Sequence, residues 1–330
     1  LGENQGLEGQ SLTLNTGALD NQRGSILANN TLSIDNSGVL NNSAGALASG
    51  DTLDLSGSGL NLVNAGGTLK AGKTLNVDAA SLDASGQMLS LGDMDLHSAN
   101  GVNNTGTTIA NGNLTFTTDG DLTNSGQLMA GSALNVQSAN LTNLASGEIN
   151  AGSTTLTATG TVRNTGLIDG ITTRINANTL TNIGTGRIYG DAVGINVDTF
   201  NNLAENGTAA TLAGRERVNL GVQTLNNADH GLIYSAGSMT IGGALDDNGA
   251  VTGRAGTINN HSSTIESAGD MAIAAGQINN INDHFSTEVV RVSQEDLTDY
   301  QHTGSTNRWS STEQGVWVDD NSSDGLKNLN

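Results

Sequence analysis

Two aspartates, Asp54 and Asp95, are the residues of this 330-residue sequence whose type and setting could support hydrolysis. Each stands between two large apolar residues, in Leu-Asp-Leu at 53–55 and in Met-Asp-Leu at 94–96. Cleavage of a glycosidic bond requires a pair of carboxylates that converge on one face of a protein. Whether these two can converge depends on the elements that carry them.

Other reactive side chains are few. The sequence has no cysteine, which excludes disulfides, zinc–thiolate sites and cysteine nucleophiles. The histidines show no spacing typical of metal ligands, and we interpret them as surface residues: His97, His230, His261, His284 and His302. We therefore predict no catalytic residue, no metal site and no cofactor.

The charge balance limits the partners that this chain can bind. It has 32 acidic and 12 basic residues, and its formal net charge is −20. Such a field repels phosphate backbones and anionic lipids, so we expect neither nucleic-acid binding nor membrane insertion. No apolar run approaches the roughly twenty residues that span a bilayer. Leu1 begins no signal-peptide pattern, and we interpret the sequence as an internal fragment.

The tripeptide Leu-x-Asn, with valine, isoleucine or phenylalanine sometimes replacing leucine, recurs along most of the chain. From Leu19 to Phe200 successive copies lie 18 to 22 residues apart. Copies begin at Leu19, Leu40, Val102, Leu122, Leu141, Val162, Leu180, Phe200, Leu225, Ile258 and Ile278, with degenerate versions at Leu60, Leu82 and Leu245. A fixed period of this size indicates a solenoid.

Each repeat holds two further apolar pairs with period-two spacing, such as Leu128 with Ala130 and Leu134 with Val136. This alternation is typical of short strands with one buried face, and the residues between them are turn formers. The sequence thus predicts an all-β, right-handed parallel β-helix with about 20 residues per triangular coil. A leucine-rich repeat is the nearest alternative, but it needs a denser leucine pattern and usually a helical segment.

Stacked coils place equivalent side chains in one column, with about 4.8 Å between neighbouring members of the column. Asp54 and Asp95 then lie two coils, or about 10 Å, apart on the outward face of the third strand, and the rest of their column is neutral. This arrangement favours a protein that is not an enzyme. A polysaccharide-degrading β-helix remains the alternative.

The asparagine of each Leu-x-Asn forms another column. We predict that its side-chain amides hydrogen-bond from coil to coil as a structural ladder, and a binding role for the column is the alternative. The predicted ladder comprises Asn21, Asn42, Asn104, Asn124, Asn143, Asn164, Asn182, Asn202, Asn227, Asn260 and Asn280.

The repeat is interrupted in three places. We predict a β-helix over residues 1–280 with loop excursions near 204–211 and 245–256, although the second interval could also hold a doubled unit. Residues 281–325 are predicted to leave the rod as a β-hairpin, with 286–292 and 315–320 as its strands. The β-helix is predicted to resume at 326–330, where Leu-Lys-Asn fits the repeat.

Aromatic residues, which are 2% of the chain, are enriched in this exit segment. Large aromatic and arginine side chains dominate the energetics of protein interfaces. We therefore predict a partner surface there, and anchoring of the hairpin to the rod is the alternative. The predicted surface comprises Phe285, Tyr300, Arg308, Trp309 and Trp317.

Two stretches carry a resemblance to a known family: LTNSGQLMAGSALNVQSAN at 122–140, and residues 278–309, which begin INNINDHF. They resemble the haemagglutinin repeats of two-partner secretion exoproteins, the filamentous haemagglutinin and contact-dependent growth inhibition (CdiA) group. The resemblance implies a filament exported unfolded by an outer-membrane partner transporter and folded at the exterior of the bacterial outer membrane. It also implies a receptor or glycan on a target cell as partner.

The function expected from these observations is that of a filamentous stalk in a secreted cell-surface exoprotein. Such a stalk presents an adhesive or receptor-binding region for adhesion or for contact-dependent toxin delivery. The alternative is a carbohydrate-binding or polysaccharide-degrading β-helix protein.

Overall fold

A computed structural model describes residues 6–293, 299–302, 304, 306–310 and 326–329 of the chain. The chain forms two compact units, Leu1–His284 and Phe285–Asn330. In the first unit, all described regular structure is β-strand, and apart from two short antiparallel hairpins the strands pair in parallel with their copies one repeat later. Leu122, for example, pairs with Leu141, and Asn124 pairs with Asn143. The predicted parallel β-helix is thereby confirmed.

Each coil contains a first strand with the Leu-x-Asn motif, a middle strand and a last strand. The first strands are Leu19–Asp20, Val39–Asn41, Asn61–Val63, Ser81–Leu82, Val102–Asn104, Leu122–Asn124, Leu141–Asn143, Thr161–Asn164, Ala255–His261 and Ala275–Ile281. The middle strands are Leu7–Gly9, Ser25–Ala28, Ala46–Ser49, Thr68–Ala71, Gln87–Ser90, Thr107–Ala110, Leu232–Ser235 and Thr264–Ser267. The last strands are Leu12–Thr16, Thr31–Asn36, Thr52–Ser56, Thr74–Ala79, Asp93–Ser98, Leu114–Thr118, Ser238–Gly242 and Met271–Ile273.

Five longer strands continue around the corners of the coil and so combine these roles. They are Gln127–Ser138, Glu148–Ala158, Leu167–Ile183, Arg187–Glu205 and Thr211–Ala228. The last three each include a middle, a last and the following first strand, as their registers with neighbouring coils show. These segments pair with a neighbouring coil over most of their length, and a ladder of this kind fits the complete absence of proline from the sequence.

The core is a thin aliphatic column inside the coils. Along Gln127–Ser138, buried Leu128, Leu134 and Val136 alternate with more exposed residues, as a strand with one face inward requires. The core extends from Ile26 to Ile258 and includes two fully buried phenylalanines, Phe116 and Phe200. Stacking of like residues on like residues allows each coil to bury its apolar face on its neighbours.

The turn after the first strand requires a left-handed backbone in several coils. The φ angle is 57° at Arg23, 52° at Ala44 and 60° at Gly66. Glycine adopts this conformation without steric cost, whereas other residues are strained there. Crowding acts elsewhere: at Gly72, a Cβ atom would collide with the carbonyl oxygen of Gly50 in the preceding coil.

Two of the predicted motif starts, Leu60 and Leu245, were wrong. Leu40 pairs with Leu62, so the motif of that coil is Leu62-Val63-Asn64 and does not begin at Leu60. Leu225 pairs directly with Ile258, so the interval between them is one coil with an excursion and contains no doubled unit. Leu245 lies in that excursion and pairs antiparallel with Val251.

The second unit contains an antiparallel sheet. Asp299–His302 pairs with Arg308–Ser310 on one side and with Leu326–Leu329 on the other. The first pair is a β-hairpin near the C-terminus, but residues 286–292 are not a strand, and 315–320 lie outside the described residues. Leu326–Leu329 therefore does not stack in parallel as a further coil, which was the expectation for 326–330.

Candidate functional site

The asparagines of the first strands form a column of amide hydrogen bonds that run from coil to coil. Asn124 Nδ2 donates to Asn143 Oδ1 at 2.8 Å, and Asn143 donates in the same way to Asn164 at 2.8 Å. Most of these residues have no exposed surface, although Asn260 is half-buried and Asn280 is exposed. Bonds of 2.6 to 2.9 Å connect Asn104, Asn124, Asn143, Asn164, Asn182, Asn202, Asn227, Asn260 and Asn280 in succession.

The same nitrogen also satisfies a backbone carbonyl of the next coil. Asn143 Nδ2 lies 3.1 Å from the carbonyl oxygen of Leu167, which begins the next middle strand. Each amide thus bonds both to the next asparagine of the column and to the backbone at the corner between the first and middle strands of the next coil. A hydrogen bond of this kind contributes about 0.5 to 1.5 kcal/mol net, and leaving a buried partner unpaired costs more.

The column is interrupted once. Asn21 donates to Asn42 and Asn42 to Asn64, but the next coil has Ala84 at the ladder position. The side-chain oxygen of Asn104, which would accept from this position, is buried without a hydrogen-bond partner in the described part of the chain. Asn64 was missed by sequence reasoning because the motif of its coil was assigned to begin at Leu60.

A second, outward-facing asparagine ladder was also missed. Asn226 Nδ2 donates to Asn201 Oδ1, Asn259 donates to Asn226, and Asn279 donates to Asn259, each at 2.8 Å. These bonds point toward the N-terminal coils, whereas those of the inner ladder point toward the C-terminal coils. The signal in the sequence was the Asn-Asn dipeptide, which recurs at 201–202, 226–227, 259–260 and 279–280.

The structure does not bring Asp54 and Asp95 together. Asn76 pairs with Asp54 in one neighbouring coil and with Asp95 in the other. The strand that carries Asn76 therefore lies between the two aspartates, which are two strand spacings apart. Burial raises the pKa of Asp54 above its ordinary value, while Asp95 is exposed. Two strand spacings correspond to about 10 Å, which is well beyond the separation of about 5 Å in a retaining glycosidase and just above the roughly 6.5 to 9.5 Å of an inverting one.

His97 lies beside this pair and contacts carboxylates of two other coils. Its Nδ1 atom is 2.7 Å from Asp78, and its Nε2 atom is 4.0 Å from Asp119. A shallow surface depression adjoins Asp54, Asp78, Asp95 and His97. Among the described residues, no group of three or more histidine, aspartate or glutamate side chains is placed to hold a metal ion.

The predicted partner surface is described only in part. Phe285 is 74% exposed. Tyr300 pairs with Trp309, and Gln301 pairs with Arg308, across the antiparallel strands of the second unit. Trp317 lies outside the described residues. The partner surface therefore stays a prediction.

The two loop excursions have distinct structures. The first is a tight hairpin in which Ala204 and Glu205 pair with Ala209 and Thr208 around Asn206-Gly207. Both turn residues have positive φ, 52° and 75°, as expected of a type I′ turn with an Asn-Gly sequence. Glu205 accepts a 3.1 Å bond from Arg163, which connects the hairpin to an earlier coil.

The second excursion, residues 243–254, is here named the strap because it folds back across the last strands of earlier coils. Ala244–Leu245 and Val251–Thr252 pair in antiparallel fashion within it. The backbone N–H of Leu245 donates to Asn196 Oδ1 at 2.9 Å, and Asn219 Nδ2 donates to the Gly249 carbonyl at 2.8 Å. These contacts span 49 and 30 residues of sequence.

With this geometry established, comparison with known families is decisive. The haemagglutinin repeat model matches residues 8–70, 57–126, 109–184, 190–249 and 211–298, which together cover most of the chain. The chain belongs to the haemagglutinin repeat family. The ladder coils, the Asn206-Gly207 hairpin and the strap all fall within the matched haemagglutinin repeats.

No curated protein and no solved structure matches this haemagglutinin repeat chain. The described residues include no helix that is long and apolar enough to cross a membrane.

Proposed function

We propose that this chain is a stalk segment of a secreted cell-surface exoprotein, which holds an adhesive or receptor-binding region away from the cell. The observation that carries the proposal is the parallel register of coils from Leu7–Gly9 to Ala275–Ile281. Each coil adds about 4.8 Å to a rod, so the number of coils sets its reach. Membership of the haemagglutinin repeat family supports the same function.

Export by an outer-membrane partner transporter is the second part of the proposal. Each coil offers a complete template of backbone and asparagine bonding groups to the next one. Folding outside the cell would then proceed coil by coil and oppose back-sliding of the unfolded chain. The mature rod would be displayed at the exterior of the outer membrane.

The contacts with a target cell belong to the irregular parts of the molecule. A receptor or glycan would meet the strap, the Asn206-Gly207 hairpin or the second unit with its Phe285, Tyr300, Arg308, Trp309 and Trp317. The task served by this contact is adhesion or contact-dependent toxin delivery. The outward faces of the regular coils supply the distance.

A carbohydrate-binding or polysaccharide-degrading protein is the second candidate, favoured by the depression beside Asp54, Asp95 and His97. Activity on a panel of polysaccharides that is lost in Asp54→Asn or Asp95→Asn would establish it. The separation of the two carboxylates by Asn76 favours the stalk.

Replacement of Val136 by aspartate tests the stalk proposal. Val136 is 1% exposed, so the aspartate carboxylate would be buried without a partner, at a cost of several kcal/mol. We expect unfolding of the rod and a severalfold loss of secretion through the partner transporter. Ile149→Asp, at another fully buried position, should behave in the same way.

Asn135→Asp is the matched control, because it adds the same charge at the exposed neighbour of Val136. The control should be folded and secreted at the unmodified level. Secretion of an unfolded Val136→Asp chain at the level of this control would contradict export driven by folding.

A further inference from the structure

The strap and the coils beneath it enclose a pocket. Its volume is about 240 Å³, which is close to the size of one sugar residue, and it opens between the strap and the outward face of three coils. Arg174, Arg217, Thr172 and Asn219 line it from the coils, and Leu245 and Asn248 line it from the strap. The strap is inserted between the last strand Ser238–Gly242 and the first strand Ala255–His261. Leu225 still pairs with Ile258 in register, so the regular coils would continue without the strap.

The seat of the strap is built from glycine and clamped by side chains. A Cβ atom at Gly221 would collide with the backbone of Ala244 and Leu245, so only glycine admits the strap at this position. Arg174 donates from Nη2 to the Asp246 carbonyl at 3.0 Å and from Nη1 to the Asp247 carbonyl at 3.3 Å. Together with the bonds of Asn196 and Asn219, these contacts preform the pocket.

Among the described residues, Arg174 and Arg217 have no ion-pair partner, and each has N–H donors that are not used in hydrogen bonds. Within the described part of the chain, no carboxylate lies within ion-pair distance of Arg174 or Arg217, whereas Arg215 pairs with Asp191 at 2.9 Å. Of its five N–H donors, Arg174 uses one from each of three nitrogens, and Arg217 uses none within the described residues. A guanidinium with free donors matches a carboxylate in a bidentate geometry.

The remaining lining groups and the overall charge restrict the chemical class of ligand that the pocket can bind. The Thr172 hydroxyl, the Asn248 amide and the side-chain oxygen of Asn219 are suited to sugar hydroxyls. The net charge of −20 disfavours a polyanion with dense sulfates or phosphates, because long-range repulsion grows with ligand charge. A single carboxylate on a hydroxylated ring fits both constraints.

We propose that this pocket binds a carboxylate-bearing sugar unit of the hexuronate class, in a polysaccharide at the surface that the stalk contacts. Arg217 holds the carboxylate, Arg174 adds positive charge while it positions the strap, and the polar lining groups hold the ring hydroxyls. This inference rests on the proposed stalk function, since it names the ligand of one of its irregular surfaces.

Titration of the full 330-residue chain with sodium D-glucuronate, D-glucose and sodium acetate, at matched ionic strength and with saturation-transfer NMR, tests the proposal. We expect glucuronate to bind at least tenfold more tightly than either glucose or acetate. Arg217→Gln should weaken glucuronate binding at least tenfold, because it removes the bidentate donor. Arg215→Gln, which changes a neighbouring exposed arginine with a carboxylate partner, should bind within twofold of the unmodified chain.

Three results would overturn the proposal: no glucuronate binding, equal binding of glucuronate and glucose or acetate, or unchanged binding by Arg217→Gln. Because Arg217 is exposed, the variant should remain folded, which circular dichroism verifies. Secretion of Arg217→Gln should be normal. Lost binding with normal secretion thus separates this site from the stalk, whose own failure would appear in the Val136→Asp and Asn135→Asp pair.

Discussion

At the scale of single residues, the inner asparagine is the side chain that ties one coil to the next. An aliphatic residue in its place would pack as well, but it would leave the corner carbonyls of the next middle strand without a donor. Asparagine supplies both a donor and an acceptor, so the column satisfies itself at every coil except its ends and the gap at Ala84. The recurrence of this residue is therefore explained by bonding, and the inner column needs no ligand.

Filling the one gap in this ladder should stabilise the rod. Ala84→Asn provides a donor for the orphan Asn104 oxygen and an acceptor for Asn64, which we expect to raise the free energy of unfolding by about 1 to 2 kcal/mol. Urea denaturation followed by circular dichroism measures the change. Ala84→Leu has the same number and branching of side-chain heavy atoms as Ala84→Asn but no amide, and it should lower the stability. Equal effects of the two variants would contradict the role of the amide.

Asp54 makes stability depend on pH in a definite direction. Because burial raises its pKa, the folded state binds this proton more tightly than the unfolded state. The free energy of unfolding therefore falls as pH rises from the ordinary aspartate pKa, and the penalty is complete above the raised pKa of the folded state. Below the ordinary aspartate pKa near 3.9, the carboxyl is protonated in both states and the penalty is absent.

Asp54→Asn should therefore raise the urea midpoint slightly at pH 7 and leave it nearly unchanged at pH 3. The exposed Asp95→Asn, from the same column, is the matched control and should shift the midpoint less at pH 7. An Asp54→Asn effect of equal size at both pH values would show that desolvation of the carboxylate is not its cause.

At the scale of elements, the strap depends on close approach to the coils beneath it. Gly221→Ala places a methyl group where the backbone of Ala244 and Leu245 lies, so we expect the strap to detach while the rod stays folded. Cleavage before Asp246 and Asp247 by an aspartate-specific endoproteinase should then accelerate at least tenfold. Gly17→Ala, where no atom lies near the added methyl group, should be cleaved at the unmodified rate. An unchanged cleavage rate in Gly221→Ala would contradict the claim that the strap packs directly against Gly221.

The elements also show which parts of the fold could be predicted. Period and alternation in the sequence sufficed for the β-helix and for the inner ladder apart from Asn64, because every coil repeats the same physics. Breaks in the period indicated where the two excursions lie. The choice between Leu60 and Leu62 failed because LNLVN offers two overlapping starts, and only pairing with the adjacent coil decides between them. The Asn-Asn repeat could have indicated the outer ladder.

The path of the strap had no local signal. Its anchoring partners, Arg174 and Asn196, lie 72 and 49 residues earlier in the chain. Such contacts arise only after stacking has brought the outward faces of separate coils together. For the same reason, the pocket that Arg174 and Arg217 line could not be predicted from the sequence, although both residues can be identified there.

At the scale of the whole molecule, the haemagglutinin repeat rod is a one-dimensional assembly in which each coil contacts mainly its neighbours. Coils should therefore be removable in whole numbers but not in fractions. Leu122, Leu141 and Val162 are in register, so deletion of residues 122–161 joins Asp121 to Val162 and brings Asn104 under Asn164. Deletion of 122–151 joins Asp121 to Gly152, at a different corner of the coil, and is the matched control.

Small-angle X-ray scattering of these two deletions tests the central claim most directly, with secretion as the parallel readout. Two coils correspond to about 10 Å of rod. The account predicts that the 122–161 deletion is folded, secreted and shorter by about 10 Å, whereas the smaller 122–151 deletion loses the rod and is secreted poorly. Equal behaviour of the two deletions, or a folded 122–161 deletion of unchanged length, would contradict a stalk built from stacked, interchangeable coils.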